Sequence, residues 1–568
     1  MRLFLWSSSR GNVKQSLALV LIAFLLLPLC PAFAQDATDQ QSELTAQAQS
    51  QFEAGDWGEA FATAGSLASD TERAELLNDL AQQRAESQQE YRQRFDALAG
   101  GISASDFTSL VNLVTTTVSP DSWEVNGGGS GSLQPYPAGV YVDAEGNLNK
   151  IKVDPSRFKK RWPNLLPLWS GAANGDWEVQ SGLRMVSLTR LEKAAQVLAA
   201  QGKPISKSMQ NLGGIYEIKF LMMYPQTGDI VIAGPAGAWK TGPGNRPVNV
   251  KTGKPVLQLD DLVVCLRNAW EQGGKFGCSI TPRQKNLAAT QQFLATSKLK
   301  GAKWSSGLRS ALGKQDVEVF GIDPQSHTAR VLVEADYRMK LIGMGIEESI
   351  PKVPCYFDRV ELLPDGSAPP MDVARWWFTL NYDHVVANQA RTAFSFDGSG
   401  VKVLSETEFI NKQGKRIHTG ASQGPTKTFA EDFTKHFDAL ADKYPVYRQL
   451  KNVFDLALVS SLIRREDLTG RVRWHQTFFG SPDPEGAGLS YRVRQDHAAT
   501  QVDSVMNEKF LTVRKRGSRI KHHMVGVSGG VSYDVEQILG QEYSPDEKQL
   551  AEVVKSGSPV DNKHWWWD

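Results

Sequence analysis

The sequence predicts a multi-domain α+β protein, in which a helical N-terminal part precedes antiparallel or mixed sheet domains. Of the 568 residues, 41% are apolar and 22% are charged, which is typical of globular chains and excludes collagen, coiled coils and wholesale disorder. Apolar residues at helical spacing dominate the N-terminal part, and short apolar runs separated by turns follow. The 63 basic and 62 acidic residues give a formal charge of +1, which is no sign of a nucleic-acid-binding protein.

Residues 1–34 have the pattern of a secretory signal peptide. Basic residues without an acid precede the apolar run Leu17–Leu27, and Ala32-Phe33-Ala34 offers the small residues that signal peptidase requires. We therefore expect cleavage between Ala34 and Gln35, and a protein that is periplasmic, at the cell surface or extracellular. No later apolar run is long enough to cross a bilayer, so we expect no transmembrane span in the mature chain.

Residues 35–101 are predicted to be helical. The segment 52–61 resembles the helix-turn-helix of a single tetratricopeptide repeat, in which Gly55 ends the first helix. Ser69 and Glu72 form a capping box, which predicts the start of a further long helix. The segment is therefore interpreted as a helical hairpin followed by a long helix.

Residues 102–150 are interpreted as a small linking module. A helical pattern at 102–125 leads to a glycine-rich tract at 127–132, and Val140-Tyr141-Val142 predicts a short strand. The tract lacks the terminal Gly-Lys-Ser/Thr of a phosphate-binding loop, so a flexible loop is the better interpretation.

The predicted central α+β domain, residues 180–370, contains two segments with the same order of strand, Pro-Gln turn, strand and helix. The first unit has strands 220–224 and 230–233 and helix 259–270, and the second has strands 317–322 and 331–335 and helix 336–342. Two ββα units that share one sheet would bury these apolar strands. We therefore expect a duplication.

Residues 371–545 are predicted to contain β segments and a helical pair. Aromatic and aliphatic residues recur at helical spacing on both sides of Pro445, which separates the two helices. Residues 546–568 are interpreted as a C-terminal tail that ends in Trp565-Trp566-Trp567.

Several ordered segments carry a family resemblance. They are Gly228–Pro235, Pro255–Leu262, Phe276–Ile280, Ala329–Lys340 and Arg375–Phe378. Together they resemble an exported planctomycete-type family that carries a domain of unknown function. The resemblance implies export, and it implies no reaction, ligand or functional residue.

The cysteine count bears on disulfide formation. The predicted signal removes Cys30, which leaves three cysteines in a compartment where disulfides form. Cys265 lies in an apolar helical stretch and is predicted to be a buried thiol. Cys278 and Cys355 fall in loop-like segments, so they are the candidate disulfide pair.

No catalytic or metal-binding constellation is predicted. Two Gly-x-Ser-x-Gly segments can be compared with the nucleophile elbow. The one around Ser422 precedes a helix but lacks a buried strand before it, and the one around Ser528 follows a plausible strand, with Asp546 and His564 downstream, but too few residues remain to carry the acid and base. Asp260 and Asp261 are predicted to begin a helix, where carboxylates meet the positive end of its dipole. No histidines or cysteines have metal-ligand spacing, so we expect no metal and no cofactor.

Two segments are candidates for binding. The first is a cationic stretch, which comprises Arg514, Lys515, Arg516, Arg519 and Lys521. It is interpreted either as a site for an anionic polymer or lipid headgroup or as a solvated hairpin. The second is the tryptophan triplet 565–567, which is either a packed tail or an anchor for a partner.

A third candidate lies at a predicted strand-to-helix junction. Glu334, Asp336 and Arg338 are grouped there, where sites often form, although a structural ion pair is the commoner outcome.

These observations predict a non-catalytic binding or scaffold protein of the bacterial envelope or periplasm. The expected partner is an envelope protein, a glycan or an anionic lipid or polymer, and not nucleic acid. The alternative is a hydrolase that acts on an envelope or imported polymer. A hydrolase requires a pocket in which serine, histidine and carboxylate side chains converge with perturbed pKa values.

Overall fold

The computed structural model describes residues 31–98, 132–136, 139–143, 177–362, 373–410, 416–422, 424–481, 488–512, 519–559 and 564–568. The helices are α1 (Pro31–Glu53), α2 (Trp57–Gly65), α3 (Asp70–Leu98), α4 (Leu188–Ala200), α5 (Lys207–Gln210), α6 (Leu259–Glu271), α7 (Gln284–Thr296), α8 (Gly301–Leu312), α9 (His327–Gly343), α10 (Gly424–Lys435), α11 (Phe437–Lys443), α12 (Pro445–Arg465), α13 (Leu468–Val472), α14 (Glu536–Leu539) and α15 (Glu547–Ser556). Short 3₁₀ helices lie at Leu212–Gly214, Pro243–Asn245 and Tyr356–Asp358.

The strands are β1 (Ser132–Tyr136), β2 (Gly139–Asp143), β3 (Ser181–Ser187), β4 (Phe220–Tyr224), β5 (Asp229–Ala236), β6 (Trp239–Gly242), β7 (Arg246–Asn249), β8 (Lys275–Pro282), β9 (Lys314–Phe320), β10 (Val373–Ala387), β11 (Ala393–Ile410), β12 (Arg416–His418), β13 (Gln501–Asp503), β14 (Val505–Thr512), β15 (Arg519–Asp534), β16 (Ser544–Pro545) and β17 (Trp566–Trp567). Together with the helices they confirm the predicted α+β class.

Thirteen strands form one mixed sheet. Its order is β13-β9-β8-β15-β10-β11-β4-β5-β3-β17, with β12, β14 and β16 paired beside β11, β15 and β10. β10 runs parallel to β15 and β16, and the other pairs are antiparallel. Strands from before and after residue 370 are interleaved in blocks in this order, so the sheet has no break at the predicted boundary.

The main core lies between this sheet and three helices, α6, α9 and α12. α12 is buried over almost its whole length, because it packs against α6, α9 and β11. Pro445 occupies its first turn, where the missing N–H costs nothing, so the predicted break and second helix are confirmed. Trp376 and Phe378 of β10 contribute aromatic contacts to the same core.

The predicted N-terminal helices are present as α1, α2 and α3. Gly55 adopts a φ of +85° between α1 and α2, and the Ser69 hydroxyl accepts from the Glu72 N–H at 3.4 Å. Apolar side chains of these helices pack on Val197 and Ala200 of α4, which joins the helical layer to the sheet. The predicted cleavage point after Ala34 falls within α1.

The linking module and the signal lie mostly beyond the described residues. β2 confirms the strand predicted at 140–142, and it pairs with β1. The signal residues 1–30, the helix predicted at 102–125 and the glycines of the tract at 127–131 are outside the description.

The predicted duplication is wrong in its second unit. The first unit is confirmed as β4, β5 and α6, but the segment 331–335 lies inside α9 and is not a strand. The Ser326 hydroxyl caps α9 by accepting from the Ala329 N–H at 3.1 Å. α9 is buried between the sheet and α12, so apolar residues occupy several of its faces, and this continuous apolar run resembles a buried strand.

An ion pair joins α9 to the centre of the sheet. Lys340 Nζ lies 2.6 Å from Asp336 Oδ2, and both side chains are completely buried. The Gly530 N–H of β15 donates to Asp336 Oδ1 at 2.8 Å. A side chain at Gly529 would start 2.2 Å from the backbone oxygen of Trp376 and 2.6 Å from Lys340 Cε, so glycine is required for this close packing. Burial raises the pKa of Asp336, although Lys340 and the Gly530 N–H act in the opposite direction.

We predict that Lys340→Met lowers the free energy of unfolding by about 3–5 kcal/mol, because it leaves the Asp336 carboxylate buried without its cation. Urea denaturation at neutral pH measures this loss. The matched control is Lys427→Met, which breaks an exposed i,i+4 pair with Glu431 and should change stability by less than about 0.5 kcal/mol. Equal losses of unfolding free energy in the two variants would show that the buried pair contributes no more to stability than the exposed pair.

Candidate functional site

A cleft of about 500 Å³ lies where five parts of the fold meet. Its walls are α5, the β6–β7 hairpin, the N-terminal turns of α6 and α9, and the irregular segment 488–500. The charged side chains that line it, besides His327, are Lys207, Lys240, Arg246, Arg330, Arg494, Asp260 and Asp496. With five basic and two acidic residues, the lining is cationic, which favours an anionic ligand.

An aromatic side chain contributes to the same wall. Trp239 of β6 lines the cleft, is partly buried and packs against Trp177 with ring centroids 4.1 Å apart. Such a fixed indole offers a flat apolar surface beside the charged groups.

His327, the first residue of α9, faces the first turn of α6. Its Nδ1 lies 3.0 Å from both carboxylate oxygens of Asp261, and the Thr328 hydroxyl donates to the same carboxylate at 2.8 Å. Burial lowers the pKa of His327, but the charge of Asp261 and the hydrogen bond to it outweigh burial, so that the pKa is raised. The carboxylate therefore both orients the imidazole and stabilises its protonated form.

Asp260 holds the opposite side of the cleft. It accepts from the Tyr491 hydroxyl at 2.9 Å and from Arg494 Nε, which ties the segment 488–500 to α6. Burial, followed by the charge of Asp260, raises the pKa of Tyr491, so this hydroxyl stays protonated. The predicted helix start at Asp260 and Asp261 is confirmed. Asp260 bonds to the segment 488–500 and Asp261 bonds to α9, so the two carboxylates contact different walls of the cleft.

The arginines keep donors for a ligand. Arg330 Nη1 lies 2.9 Å from Asp496 Oδ2, and Arg246 binds Glu334 through Nη2. A guanidinium carries five N–H donors, and one carboxylate engages at most two of them. The cleft can therefore bind an anion without breaking its internal ion pairs.

No pattern in the sequence indicates this cleft. Arg246, His327 and Arg494 are far apart in the chain, so no spacing rule connects them. The only available signal was the pair Asp260-Asp261 at a helix start, since adjacent carboxylates on a helix point in different directions and need separate partners.

The candidate junction residues do not form one site. Glu334, Asp336 and Arg338 all lie in the middle of α9, so the predicted strand-to-helix junction is wrong. Glu334 binds Arg246 beside the cleft, Asp336 belongs to the buried pair with Lys340, and Arg338 packs over the Tyr444 ring at 5.0 Å.

The cationic candidate stretch is described only in part. Arg514, Lys515 and Arg516 lie outside the described residues. Arg519 and Lys521 lie in the strand β15. Its role stays a prediction.

The tryptophan triplet is a packed tail. The exposed fractions of Trp565, Trp566 and Trp567 are 6%, 1% and 3%, and β17 pairs with the edge strand β3. The buried guanidinium of Arg184 lies 4.5 Å from the Trp566 ring centroid and donates to both carboxylate oxygens of Asp568, at 2.8 and 2.9 Å. The interpretation as an exposed partner anchor is wrong, because the sheet edge and Arg184 cover the rings.

The proposed disulfide between Cys278 and Cys355 is absent. The three cysteines of the described residues are free, and Cys278 lies in the interior of β8 and not in a loop. Cys265 is buried, as predicted, and burial raises the pKa of all three thiols. Neither serine motif forms a nucleophile elbow: Ser528 lies within β15 and donates to Glu408 at 3.0 Å, and Ser422 contacts Ser405 at 2.6 Å.

A second polar cluster crosses β10, β11 and β12. His418 Nδ1 lies 3.2 Å from Glu406 and 3.1 Å from Glu408, a set of ligand types that metals accept. Arg375 Nη1 occupies the same region, 2.7 Å from Glu406 Oε2. Burial alone would raise the pKa of Glu406, but the Gly420 N–H, Arg375 and His418 lower it to about 2. We interpret the cluster as an ion-pair network in which Arg375 supplies the cation.

Comparison with known proteins identifies one domain. Residues 278–356 match a family described as "Protein of unknown function (DUF1598)". The chain therefore carries a domain of unknown function, as the resemblance implied, and this domain contains His327 and Arg330 of the cleft. No curated protein and no solved structure matches the chain. Among the described residues, no helix is long and apolar enough to cross a membrane.

We predict that Trp566→Ala lowers the free energy of unfolding by about 3–5 kcal/mol, since it removes a fully buried ring and the contact with Arg184. Chemical denaturation followed by circular dichroism measures the loss. Trp270→Ala is the control, because Trp270 is 40% exposed, and it should cost less than about 1 kcal/mol. Indistinguishable losses would contradict the packed-tail assignment.

Proposed function

We propose that the protein is an exported, non-catalytic binding protein of the bacterial envelope that holds an anionic glycan or polymer in the cleft around His327. The observation that carries this proposal is the convergence of Arg246, Arg330 and Arg494 on one cleft with His327. Guanidinium groups bind carboxylates and phosphates through paired hydrogen bonds, and several of them around one cavity select for negative charge.

The aromatic wall supports a glycan as the ligand. Trp239 rests on Trp177 and presents its ring to a cleft whose other groups are polar or charged. A sugar ring has an apolar face and a polar rim, so it can stack on the indole while an acidic substituent reaches the arginines.

The N-terminal sequence supports export and a scaffold role. The pattern of residues 1–34 is that of a secretory signal, and the planctomycete-type resemblance has the same implication. The tetratricopeptide-like hairpin of α1 and α2 adds a helical layer of the kind that contacts protein partners.

A specific feature favours the hydrolase alternative. Asp261 orients His327 as a carboxylate orients the histidine of a general-base dyad. His327 Nε2, however, contacts the amide of Gln449 at 3.4 Å and not a hydroxyl or thiol nucleophile. Binding is therefore the first proposal, and release of reducing ends from a bound polymer would support the alternative.

We predict that the chain from residue 35 onward binds oligogalacturonate, used as a carboxylated probe, and that Arg330→Gln weakens this binding about tenfold. The expected loss is that of one charge-assisted hydrogen bond, about 1.5 kcal/mol. Isothermal titration calorimetry measures both dissociation constants, and binding should weaken as ionic strength rises.

Two controls make this experiment specific. Arg309→Gln removes an exposed arginine of α8 that does not line the cleft, so it should leave the affinity unchanged. A neutral oligosaccharide of the same length should bind poorly. Equal affinity for the charged and neutral probes, or no binding of either, would refute the proposed function.

A further inference from the structure

A chain of hydrogen bonds connects Arg246 to Asp261 through the buried Gln449 and the half-buried His327. Arg246 Nε donates to Gln449 Oε1. The Gln449 amide nitrogen lies 3.4 Å from His327 Nε2, and His327 Nδ1 lies 3.0 Å from the Asp261 carboxylate. Three different parts of the fold, β7, α12 and α9, thus meet α6 through one continuous polar path.

The direction of each bond follows from the groups at the two ends. An arginine can only donate, so Gln449 must present its oxygen to Arg246 and its NH₂ group to His327. His327 Nε2 must then accept, while Nδ1 donates to Asp261. The path is satisfied only when His327 is neutral and carries its proton on Nδ1.

Protonation of His327 is incompatible with this arrangement. A proton on Nε2 would face the NH₂ group of Gln449, and two donors cannot bond to each other. Rotation of the amide by half a turn restores the bond by turning the Gln449 oxygen toward His327. The same rotation turns the NH₂ group toward Arg246 Nε, which loses its acceptor.

The charged groups around His327 determine how easily its imidazole is protonated. Asp261 of α6 favours its protonated form, Asp496 of the segment 488–500 acts in the same direction, and Arg330 of α9 opposes it. Arg246 is only 8% exposed and stays attached to Glu334 through Nη2. Its freed Nε–H would be costly to bury unpaired, so it needs a new acceptor.

We propose that Gln449 links the protonation state of His327 to Arg246, so that the cleft takes up a proton together with its anionic ligand. The incoming anion supplies the acceptor that Arg246 loses, and its charge stabilises the imidazolium of His327. Gln449 is a positioning residue, since it acts on the ligand only through these two neighbours. The inference rests on the proposed function and deepens it, because it adds a regulation of the same cleft.

The first test is calorimetry with oligogalacturonate between about pH 5 and about pH 8, the range in which histidine changes charge. We expect the affinity to fall by up to about tenfold per pH unit toward alkaline pH, which is the limit for one linked proton. Titrations in two buffers with different ionisation enthalpies should show net proton uptake. Binding without a pH slope and without proton uptake would overturn the inference while leaving the proposed function intact.

We call the link from His327 through Gln449 to Arg246 the relay. Two variants distinguish the relay from a direct effect of the His327 charge on the ligand. His327→Gln keeps a donor for Asp261 and an acceptor for Gln449, so it should bind without the pH slope. Gln449→Met conserves volume and removes the link, together with the acceptor of Arg246 Nε, so its slope should fall below half that of the wild type. A slope of half or more in folded Gln449→Met would overturn the relay through Gln449.

A second measurement needs no ligand and no intact binding. Nuclear magnetic resonance of protein with labelled histidine and arginine follows His327 and the Arg246 Nε–H in one pH titration. We expect both signals to shift with the same midpoint, and Gln449→Glu, which accepts from both neighbours, should raise the pKa of His327. If the wild type binds no probe, the proposed function fails. If the Arg246 Nε–H signal does not shift when His327 titrates, the relay is also overturned.

Discussion

The fold depends on one buried charge pair beneath the centre of its sheet. Asp336 needs both Lys340 and the Gly530 N–H, because a carboxylate removed from water is tolerated only when its oxygens are satisfied. Lys340 comes from α9 itself and the Gly530 N–H comes from β15, so the bond to Gly530 fixes where Asp336 and its helix lie against the strand. β15 in turn lies between β8 and β10. An apolar contact would permit sliding, whereas the hydrogen bond from the Gly530 N–H to Asp336 requires one register.

The same helix places the cleft. His327 stands at the N-terminus of α9, nine residues before Asp336, which is about 13 Å along a helix. Because the charge pair fixes α9, it also fixes the imidazole relative to Asp261 of α6. The matched domain of unknown function, residues 278–356, includes His327 and Asp336 but not their partners Asp261, Gln449 and Gly530. Neither the core nor the cleft is therefore complete within the matched segment.

Local patterns were sufficient to predict the local elements and insufficient to predict the cleft. The N-terminal helices, the unit β4–β5–α6 and the break at Pro445 each depend on a few neighbouring residues, and all are confirmed. The segment 331–335 has the pattern of a strand although it is helical, because burial on several sides removes the periodicity that separates helix from strand. Arg246, His327 and Arg494 meet only after the sheet has formed, so no spacing in the chain indicates them.

More basic than acidic residues line the cleft, but carboxylate contacts balance the charges of its arginines. Both properties affect how the cleft would bind a ligand. Arg330, Arg494 and Arg246 each have a carboxylate partner, which removes the cost of holding bare charges together when no ligand is present. At these three arginines an anion that enters does not meet an unpaired cation; it competes for the donors that the ion pairs leave over. Affinity then depends less on total charge than on which donors are free, and the orientation of the single amide of Gln449 decides that for Arg246. In the link that we propose, a neutral side chain, and not another charge, is for that reason the residue that controls the cleft.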